Sequence, residues 1–164
     1  MKKLIATLLV AILALGIAAC GSSKEEGDNT QTKGGYTFES NGVKIAMNEK
    51  ATPILDKLGK ANKTFESKSC AFDGLDKEYT YNGFVLKTYP DKDVDYIASI
   101  TLFDDTVKTP EGISIGDSKE NVIKAYGECK ESKTVCEYKK GDMKILFLIT
   151  NDVVSSIQYV AITK

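Results

Sequence analysis

Cys20 is the residue whose position in the chain most directly predicts a chemical modification. It closes an apolar run that begins after Lys2 and Lys3 and ends with Ile-Ala-Ala at residues 17–19. A charged start and an apolar core shorter than the roughly 20 residues that cross a bilayer are typical of a signal peptide, here residues 1–19. A cysteine directly after the predicted cleavage site of the signal peptide favours acylation of its thiol, and so a lipid-anchored chain. The alternative is ordinary cleavage and secretion.

The other three cysteines are Cys70, Cys129 and Cys136. Outside the cytoplasm a pair of thiols can be oxidised, and Cys129 and Cys136 flank a polar stretch, residues 130–134, that would suit a hairpin loop. We favour a disulfide between these two, but spacing does not fix connectivity, so a pairing of Cys70 and three free thiols stay open. Without histidine, Cys70 has no ordinary activating partner, and we expect it to be a small buried side chain.

Carboxylates are the remaining candidates for chemistry. Asp91, Asp93 and Asp95 alternate as in a calcium loop, but Tyr96 stands where such a loop needs glycine and Leu102 where it needs glutamate. We expect a solvated turn there and no metal site. A second acidic group, Asp104 and Asp105 with Asp73 or Asp76, could perform acid–base chemistry only if burial separated the pKa values. Turn positions favour exposure, so we expect no catalytic residue.

Composition excludes several classes of function. Removing residues 1–19 leaves 145 of 164 residues, about one domain, with 20 lysines against 23 acidic residues. This balance argues against nucleic acid as a partner. The chain has no arginine, histidine or tryptophan. The absence of histidine excludes His-based triads and most zinc sites, and nothing in the sequence calls for a cofactor.

The elements that must position these residues follow a polar linker, residues 20–35, which we expect to be a disordered tether. Apolar periodicity with glycine stops predicts short helices at residues 51–59 and 119–127, the second capped by Asp117 or Ser118. Alternating patterns around an Asn-Gly pair predict a hairpin over residues 36–47. Further strands are predicted at residues 69–72, 78–81, 84–89, 96–103, 134–139, 143–150 and 153–162.

The order of these elements contains an internal repeat. Residues 42–45 resemble 112–115, residues 54–59 resemble 122–127, and residues 97–100 resemble 154–157. The sequence therefore predicts one α+β domain, residues 36–164, made of two tandem repeats at about 36–107 and 108–164. Each repeat is a short helix followed by an antiparallel β-meander, and neither buries its sheet face alone.

The repeated unit also resembles known families. Residues 112–127, GISIGDSKENVIKAYG, resemble the helix entry of small envelope lipoproteins of the BamE type, and the doubled unit resembles the tandem-repeat fold of beta-lactamase inhibitor proteins. The fuller pattern, with SCAFDG at 69–74 and TPEG at 109–112, is similar to uncharacterised lipoproteins of Gram-positive, clostridial-type anaerobes. The resemblance implies a protein-binding sheet face and no enzyme activity, and it carries over no binding residue.

Taken together, these patterns predict a lipid-anchored module on the extracytoplasmic face of the cell membrane that binds an envelope or secreted protein without catalysis. Tyr79 and Tyr81 alternate on one predicted strand and would form a binding surface if their face is open. If that face instead packs under the helices, the two rings belong to the core. The alternative function is capture of a small solute or wall fragment in a groove between the halves.

Overall fold

A computed structural model describes residues 34–129 and 134–163. The predicted signal peptide, Cys20 with its predicted acylation, most of the predicted linker, residues 130–133 and Lys164 lie outside these residues. Within them the chain forms an α+β fold of two helices and nine strands. The elements are β1 Thr37–Ser40, β2 Val43–Ala46, α1 Ala51–Leu58, β3 Lys63–Lys68, β4 Leu75–Thr80, β5 Phe84–Asp91, β6 Val94–Leu102, α2 Lys119–Tyr126, β7 Val135–Lys140, β8 Met143–Thr150 and β9 Val153–Ala161.

The strands form two antiparallel sheets. β1 and β2 pair through the predicted Asn41-Gly42 turn, where both residues have positive φ, and stand apart as a two-stranded sheet. The other seven strands form one sheet in the order β3-β4-β5-β6-β9-β8-β7. β6 and β9, the last strands of the two predicted halves, therefore meet at its centre.

One face of the large sheet is covered by the hairpin and both helices. Phe38 of the hairpin has its ring centroid 5.0 Å from that of Phe84 and 5.8 Å from that of Tyr159. Ile54 of α1 and Val122 of α2 join the same buried cluster. Because helices this short are unstable alone, burial of these apolar faces against the sheet is what stabilises them.

The two helices begin in the same way. Before α1, Asn48 N–H donates to Ile97 O and Ile97 N–H donates to Glu49 O, both at 2.9 Å. Before α2, Gly116 N–H donates to Val154 O and Val154 N–H to Asp117 O, both at 2.8 Å. Each helix entry is thus tied to a β-strand by a reciprocal pair of backbone hydrogen bonds. Each helix also ends, as predicted, at a glycine with positive φ: Gly59 and Gly127.

The two halves also share an irregularity in strand pairing. Between β5 and β6 the register skips Ala98, because Lys87 pairs with Ser99 and Thr88 with Ile97. Between β8 and β9 it skips Ser155 in the same manner. Ala98 directly follows Ile97, and Ser155 directly follows Val154, the two residues whose backbones bond to the helix entries. Each bulge therefore lies where a strand turns from the sheet centre toward a helix entry.

The sequence misplaced one strand and one turn. Residues 69–72 were predicted as a strand, but Ser69 to Gly74 form the loop between β3 and β4, and the strand precedes it at Lys63–Lys68. The turn predicted at Pro90-Asp91 falls two residues later, because β5 continues through Asp91. Within the described ranges neither helix is long and apolar enough to cross a membrane.

Candidate functional site

The second face of the seven-stranded sheet carries neither helix nor hairpin in the described part of the chain. Partners in antiparallel register lie on the same face, so the pairing shows which side chains share it. One row crosses all seven strands: Phe65, Glu78, Lys87, Ser99, Val160, Lys144 and Lys139. The next row is Lys63, Thr80, Val85, Thr101, Gln158, Leu146 and Glu137. We call this side the open face.

A groove of about 580 Å³ lies on the open face. Its volume falls within the range of ligand pockets. The lining mixes small, apolar and charged residues from six strands, one loop and the segment after β9: Phe65, Ser67, Ser69, Ala71, Phe72, Asp76, Lys77, Glu78, Lys87, Thr88, Tyr89, Ala98, Ser99, Lys144, Leu146, Gln158, Val160, Ala161 and Thr163.

The loop between β3 and β4 builds one wall of the groove. Ser69 Oγ accepts hydrogen bonds from the backbone N–H groups of Ala71 and Phe72, at 3.4 and 3.2 Å, and Ser69 N–H donates to Gly74 O at 3.0 Å. These bonds fold the loop back on itself, and the Phe72 ring stacks on Tyr89 with centroids 4.9 Å apart. The wall is therefore fixed by its own polar contacts and by one aromatic stack.

Gly74 sets how closely this loop approaches the sheet. Its φ is +130°, and a Cβ there would lie 3.0 Å from two side-chain carbons of Pro90. Any other residue would be strained by both the backbone conformation and the contact. The Asp-Gly signal in the sequence thus marks the close approach of the groove wall to β5.

The lysines of the groove are all paired. Lys77 Nζ lies 2.7 Å from Asp95, Lys87 Nζ 2.8 Å from Glu78 and Lys144 Nζ 3.2 Å from Glu137. The hydrogen bond that Lys77 donates to Asp95 raises the pKa of Lys77, and the one that Lys144 donates lowers the pKa of Glu137. Glu137 also pairs with Lys139 at 3.3 Å, so two lysines share its carboxylate.

Asp76, on the open face, and Thr88, which its pairing with Lys77 and Ile97 places on the covered face, each have one polar atom without such a partner. Asp76 Oδ1 and Thr88 Oγ1 are buried and make no hydrogen bond to the described residues. Thr88 is only 1% exposed. Buried polar atoms in folded proteins nearly always have a hydrogen-bond partner, so each of these two needs an explanation.

Tyr79 and Tyr81, the predicted binding surface, do not lie on the open face. Tyr79 pairs with the buried Leu86 and both tyrosines pack partly buried against the core. The Tyr81 ring stacks on Phe84 at 5.1 Å, and its hydroxyl donates to Gly59 O at 3.2 Å. Burial raises the pKa of both phenols. The structure therefore favours the second alternative given above, in which both rings belong to the core.

The cysteines divide as one pair and one free thiol. Cys129 and Cys136 form the favoured disulfide, which joins the segment after α2 to the start of β7. Cys70 is free and exposed at the tip of the groove wall, which corrects the expectation that it would be buried. The error follows from the strand wrongly predicted at residues 69–72, because Cys70 lies in a loop and does not pack against a face of the sheet.

The other carboxylates do not converge. Asp91 and Asp93 are exposed around the turn between β5 and β6, as expected, whereas Asp95, the third carboxylate of the predicted solvated turn, is half-buried in β6 and pairs with Lys77. Asp104 Oδ1 accepts the Thr106 N–H at 3.0 Å and so caps a turn. Within residues 34–129 and 134–163, no three Asp, Glu, Cys or His side chains lie close enough to hold a metal.

Comparison of the chain with protein-family models, curated proteins and solved structures found no match. The site therefore has to be interpreted from its own geometry. Sequence reasoning did not identify the groove, although Ser69 to Gly74, the loop that walls it, was singled out as a motif.

Proposed function

We propose that this protein is a lipid-anchored, extracytoplasmic module that binds another protein through the open face and performs no chemistry. The observation that carries the proposal is the face of the seven-stranded sheet that no helix or hairpin of residues 34–129 and 134–163 covers. A sheet normally buries at least one face, and this one does so under α1, α2 and the hairpin. The other face is left available as a preformed surface on a rigid element.

Exposed apolar side chains on that face favour a macromolecule as the ligand. Phe65 is 62% exposed and Leu148 43% exposed. Leu146 and Val160, half-buried, lie near Leu148 on β8 and β9, and Glu78, Lys87 and Ser99 separate them from Phe65. Apolar side chains interspersed with paired charges match non-obligate protein interfaces, which are about as apolar as the rest of a protein surface.

A second candidate, capture of a small solute or wall fragment, is favoured by the groove itself. Its volume and the buried, unbonded Oδ1 of Asp76 suit a small ligand. Small ligands are usually enclosed over most of their surface, whereas Phe65 at this groove's edge is largely exposed. For that reason we rank protein binding first.

The anchor is a proposal from the sequence. Cys20 would carry the lipid, and residues 20–35 would hold the domain away from the membrane by roughly 20 Å, the mean span of a flexible chain of that length. Mass spectrometry of the mature N-terminus tests this: an acylated Cys20 is expected, and an unmodified thiol on a secreted chain would refute it.

We further propose that the domain consists of two tandem repeats, related to the BamE-type and inhibitor folds. Support comes from the matching helix entries and the matching bulges, with Ala98 and Ser155 both second in the sequence segments that resemble each other. The meeting of β6 and β9 at the sheet centre fits an arrangement in which the halves pair through their last strands.

Crosslinking in intact cells tests the proposed function. Leu148→Lys places a charge on the open face, and Leu75→Lys is its matched control, equally exposed at 43% but on the strand side that Tyr79 shares. We expect the native chain and the control to capture the same protein and Leu148→Lys to lose it. Capture of no protein by the native chain, or unchanged capture by Leu148→Lys, would contradict the proposal.

A further inference from the structure

We propose that the protein partner adds an extended strand to the free edge of the seven-stranded sheet, in antiparallel pairing with β3. This inference rests on the proposed function and names the mode of the contact. β3, Lys63–Lys68, is the first strand in the sheet order, and among the described strands it pairs only with β4. All six of its residues are exposed. A partner seated on the open face therefore meets the backbone of β3 at the border of that face.

The hydrogen bonds of β4 show which backbone groups of β3 point outward. In an antiparallel ladder, every second residue exchanges both of its backbone hydrogen bonds with the neighbouring strand. Ser69 N–H donates to Gly74 O at 3.0 Å on the β3 side of β4, and Tyr81 N–H donates to Phe84 O at 2.9 Å on the β5 side. Both bonds give the same alternation, in which the odd-numbered residues of β3 bond to β4. The even-numbered residues of β3 therefore direct their N–H and C=O groups away from the sheet.

These outward residues are Thr64, Glu66 and Lys68, and no other segment of residues 34–129 and 134–163 bonds to their backbone on that side. Three N–H and three C=O groups in a row are a template for a further strand. Sheets usually protect such an edge with a bulge or a proline. β3 contains no proline, and its register with β4 is unbroken over six pairs. The edge is therefore open to strand addition, a common mode of peptide recognition.

The charges of β3 specify the chemistry of the added strand. They follow one another as Lys63, Glu66 and Lys68. Side chains directly opposite each other in antiparallel strands attract if their charges differ and repel if they match. Read from its N-terminus, a complementary strand has the pattern acidic-x-basic-x-x-acidic, with its basic residue opposite Glu66. The residue after the basic one lies opposite Phe65, which is 62% exposed, and is therefore expected to be apolar.

The same charges argue against a second copy of this chain as the added strand. Two copies joined edge to edge about a two-fold axis present the same surface to each other. All three outward residues of both copies form bonds in one register alone, and that register puts Glu66 opposite Glu66. Like charges directly opposite each other are destabilising. A different protein with the complementary pattern has no such penalty.

The test uses the full mature chain, isotopically labelled and held in neutral detergent micelles. The probe is the capped peptide acetyl-Glu-Thr-Lys-Ile-Thr-Glu-amide, which has the complementary pattern. Nuclear magnetic resonance follows the amide protons of Thr64, Glu66 and Lys68. We expect all three to shift, and to exchange more slowly with solvent, as the peptide is added, with a Kd of about 1 mM.

Two N-methylated forms of the probe test the ladder itself. In the proposed register the lysine N–H of the probe donates to Glu66 O, whereas the isoleucine N–H points away from β3. N-methylation of the lysine should therefore weaken binding at least about tenfold, because it removes one hydrogen bond and puts a methyl group against the edge. N-methylation of the isoleucine should change binding less than about threefold.

Variants of Glu66 assign the site. Glu66→Pro removes an N–H that the sheet itself does not use, so the chain should fold and bind the probe at least about tenfold more weakly. Glu66→Ala, the matched control, keeps that N–H and should weaken binding less than about threefold. Glu66→Lys keeps the test decisive if the proline variant does not fold. It should weaken the probe about threefold and bind better to a peptide with glutamate in place of lysine.

Each other outcome counts against the proposal. No response of the three amides, or equal weakening by the two methyl groups, would refute strand addition. Unchanged binding by both Glu66→Pro and Glu66→Lys would place the peptide elsewhere. A shift of the same amides with protein concentration alone would refute a protein partner in favour of a second copy. Failure of the crosslinking experiment with success here would refute the proposed function and leave a strand-binding edge, so the two can fail separately.

Discussion

Phenylalanines in this protein have different roles according to the sheet face they occupy. Phe38 and Phe84 are fully buried and contact each other, whereas Phe65 lies on the open face and is mostly exposed. Residue type alone does not separate these roles, because the alternation that would do so is absent in the polar strand around Phe65. Burial, and therefore the effect of a substitution, is decided by the register of the strand.

The first prediction contrasts two of these rings. Phe65→Ala should change the free energy of unfolding by less than about 0.5 kcal/mol but reduce capture of the partner, since its ring stabilises a contact and not the fold. Phe84→Ala should lower the free energy of unfolding by about 3–5 kcal/mol. Urea denaturation and crosslinking measure the two effects; a large loss of stability in Phe65→Ala would show that the open face is covered in the free protein.

The candidate site was harder to derive from the sequence than the core. Tyr79 lies on β4 as predicted and Tyr81 directly follows the end of that strand, but the sequence pattern alone could not decide which of the two faces was covered. The residues that line the groove carry no distinctive spacing, because they come from six strands that only the sheet topology brings together.

At the scale of elements, hydrophobic alternation predicted the strands that bury one face, and it failed for β3, which buries neither. β8, Met143–Thr150, alternates buried and exposed positions and was predicted to the residue. β3, Lys63–Lys68, is exposed at all six positions, so hydrophobic alternation could not reveal it. Both helices were found because their glycine stops and apolar faces are local features.

Asp117 illustrates how an element's entry is stabilised. Its carboxylate accepts hydrogen bonds from Ser114 N–H at 2.7 Å and from Ser114 Oγ at 3.1 Å, just before Ser118, which caps α2 through Asn121 N–H. The backbone hydrogen bond from Ser114 lowers the pKa of Asp117 below the ordinary aspartate value of 3.8. The ionised form is thus favoured in the folded chain.

The second prediction follows from that pKa. A lowered folded-state pKa adds stability that is present above the unfolded-state value and is lost as pH falls through the folded value. Asp117→Ala should therefore lower the free energy of unfolding by about 0.5–1 kcal/mol at neutral pH, and the difference from the native chain should shrink below pH 3.8. Thermal unfolding from pH 7 to pH 2 measures it. The exposed Asp56 in α1 provides the control; an Asp117→Ala deficit that persisted in acid would contradict this account.

The third prediction concerns the disulfide between the segment after α2 and β7. It closes a short loop, with seven residues of sequence separation, and constraint of the unfolded chain by such a loop is worth about 2.5 kcal/mol. Replacing Cys129 and Cys136 together by alanine should lower the free energy of unfolding by about that amount. Reductant should destabilise the native chain similarly but leave the double variant unchanged, with Cys70→Ser as the exposed-thiol control. Reductant sensitivity of the double variant would refute the assignment.

At the scale of the whole molecule, the two halves are joined more narrowly in the sheet than in the core. β6 and β9 share four residue pairs, whereas β5 with β6 and β8 with β9 each share eight. The buried cluster nevertheless runs continuously through both halves, from Phe38 and Leu86 to Phe147 and Tyr159. β4 and β5, both in the first half of the chain, also share only four pairs, so the width of the β6–β9 pairing does not by itself delimit two units, and the shared core couples the stability of both halves.

The last prediction tests this coupling. Ile45→Val in the first half and Ile145→Val in the second remove one methylene each from fully buried positions, and each should lower the free energy of unfolding by about 0.5–1.5 kcal/mol. Because one core serves both halves, each variant should shift a single transition seen alike by far-ultraviolet circular dichroism and by the fluorescence of the eight tyrosines. Two unfolding transitions, one shifted by each substitution, would show that the halves fold as separate units joined only by the four residue pairs of β6 and β9. The open face would then not be a rigid surface for a partner.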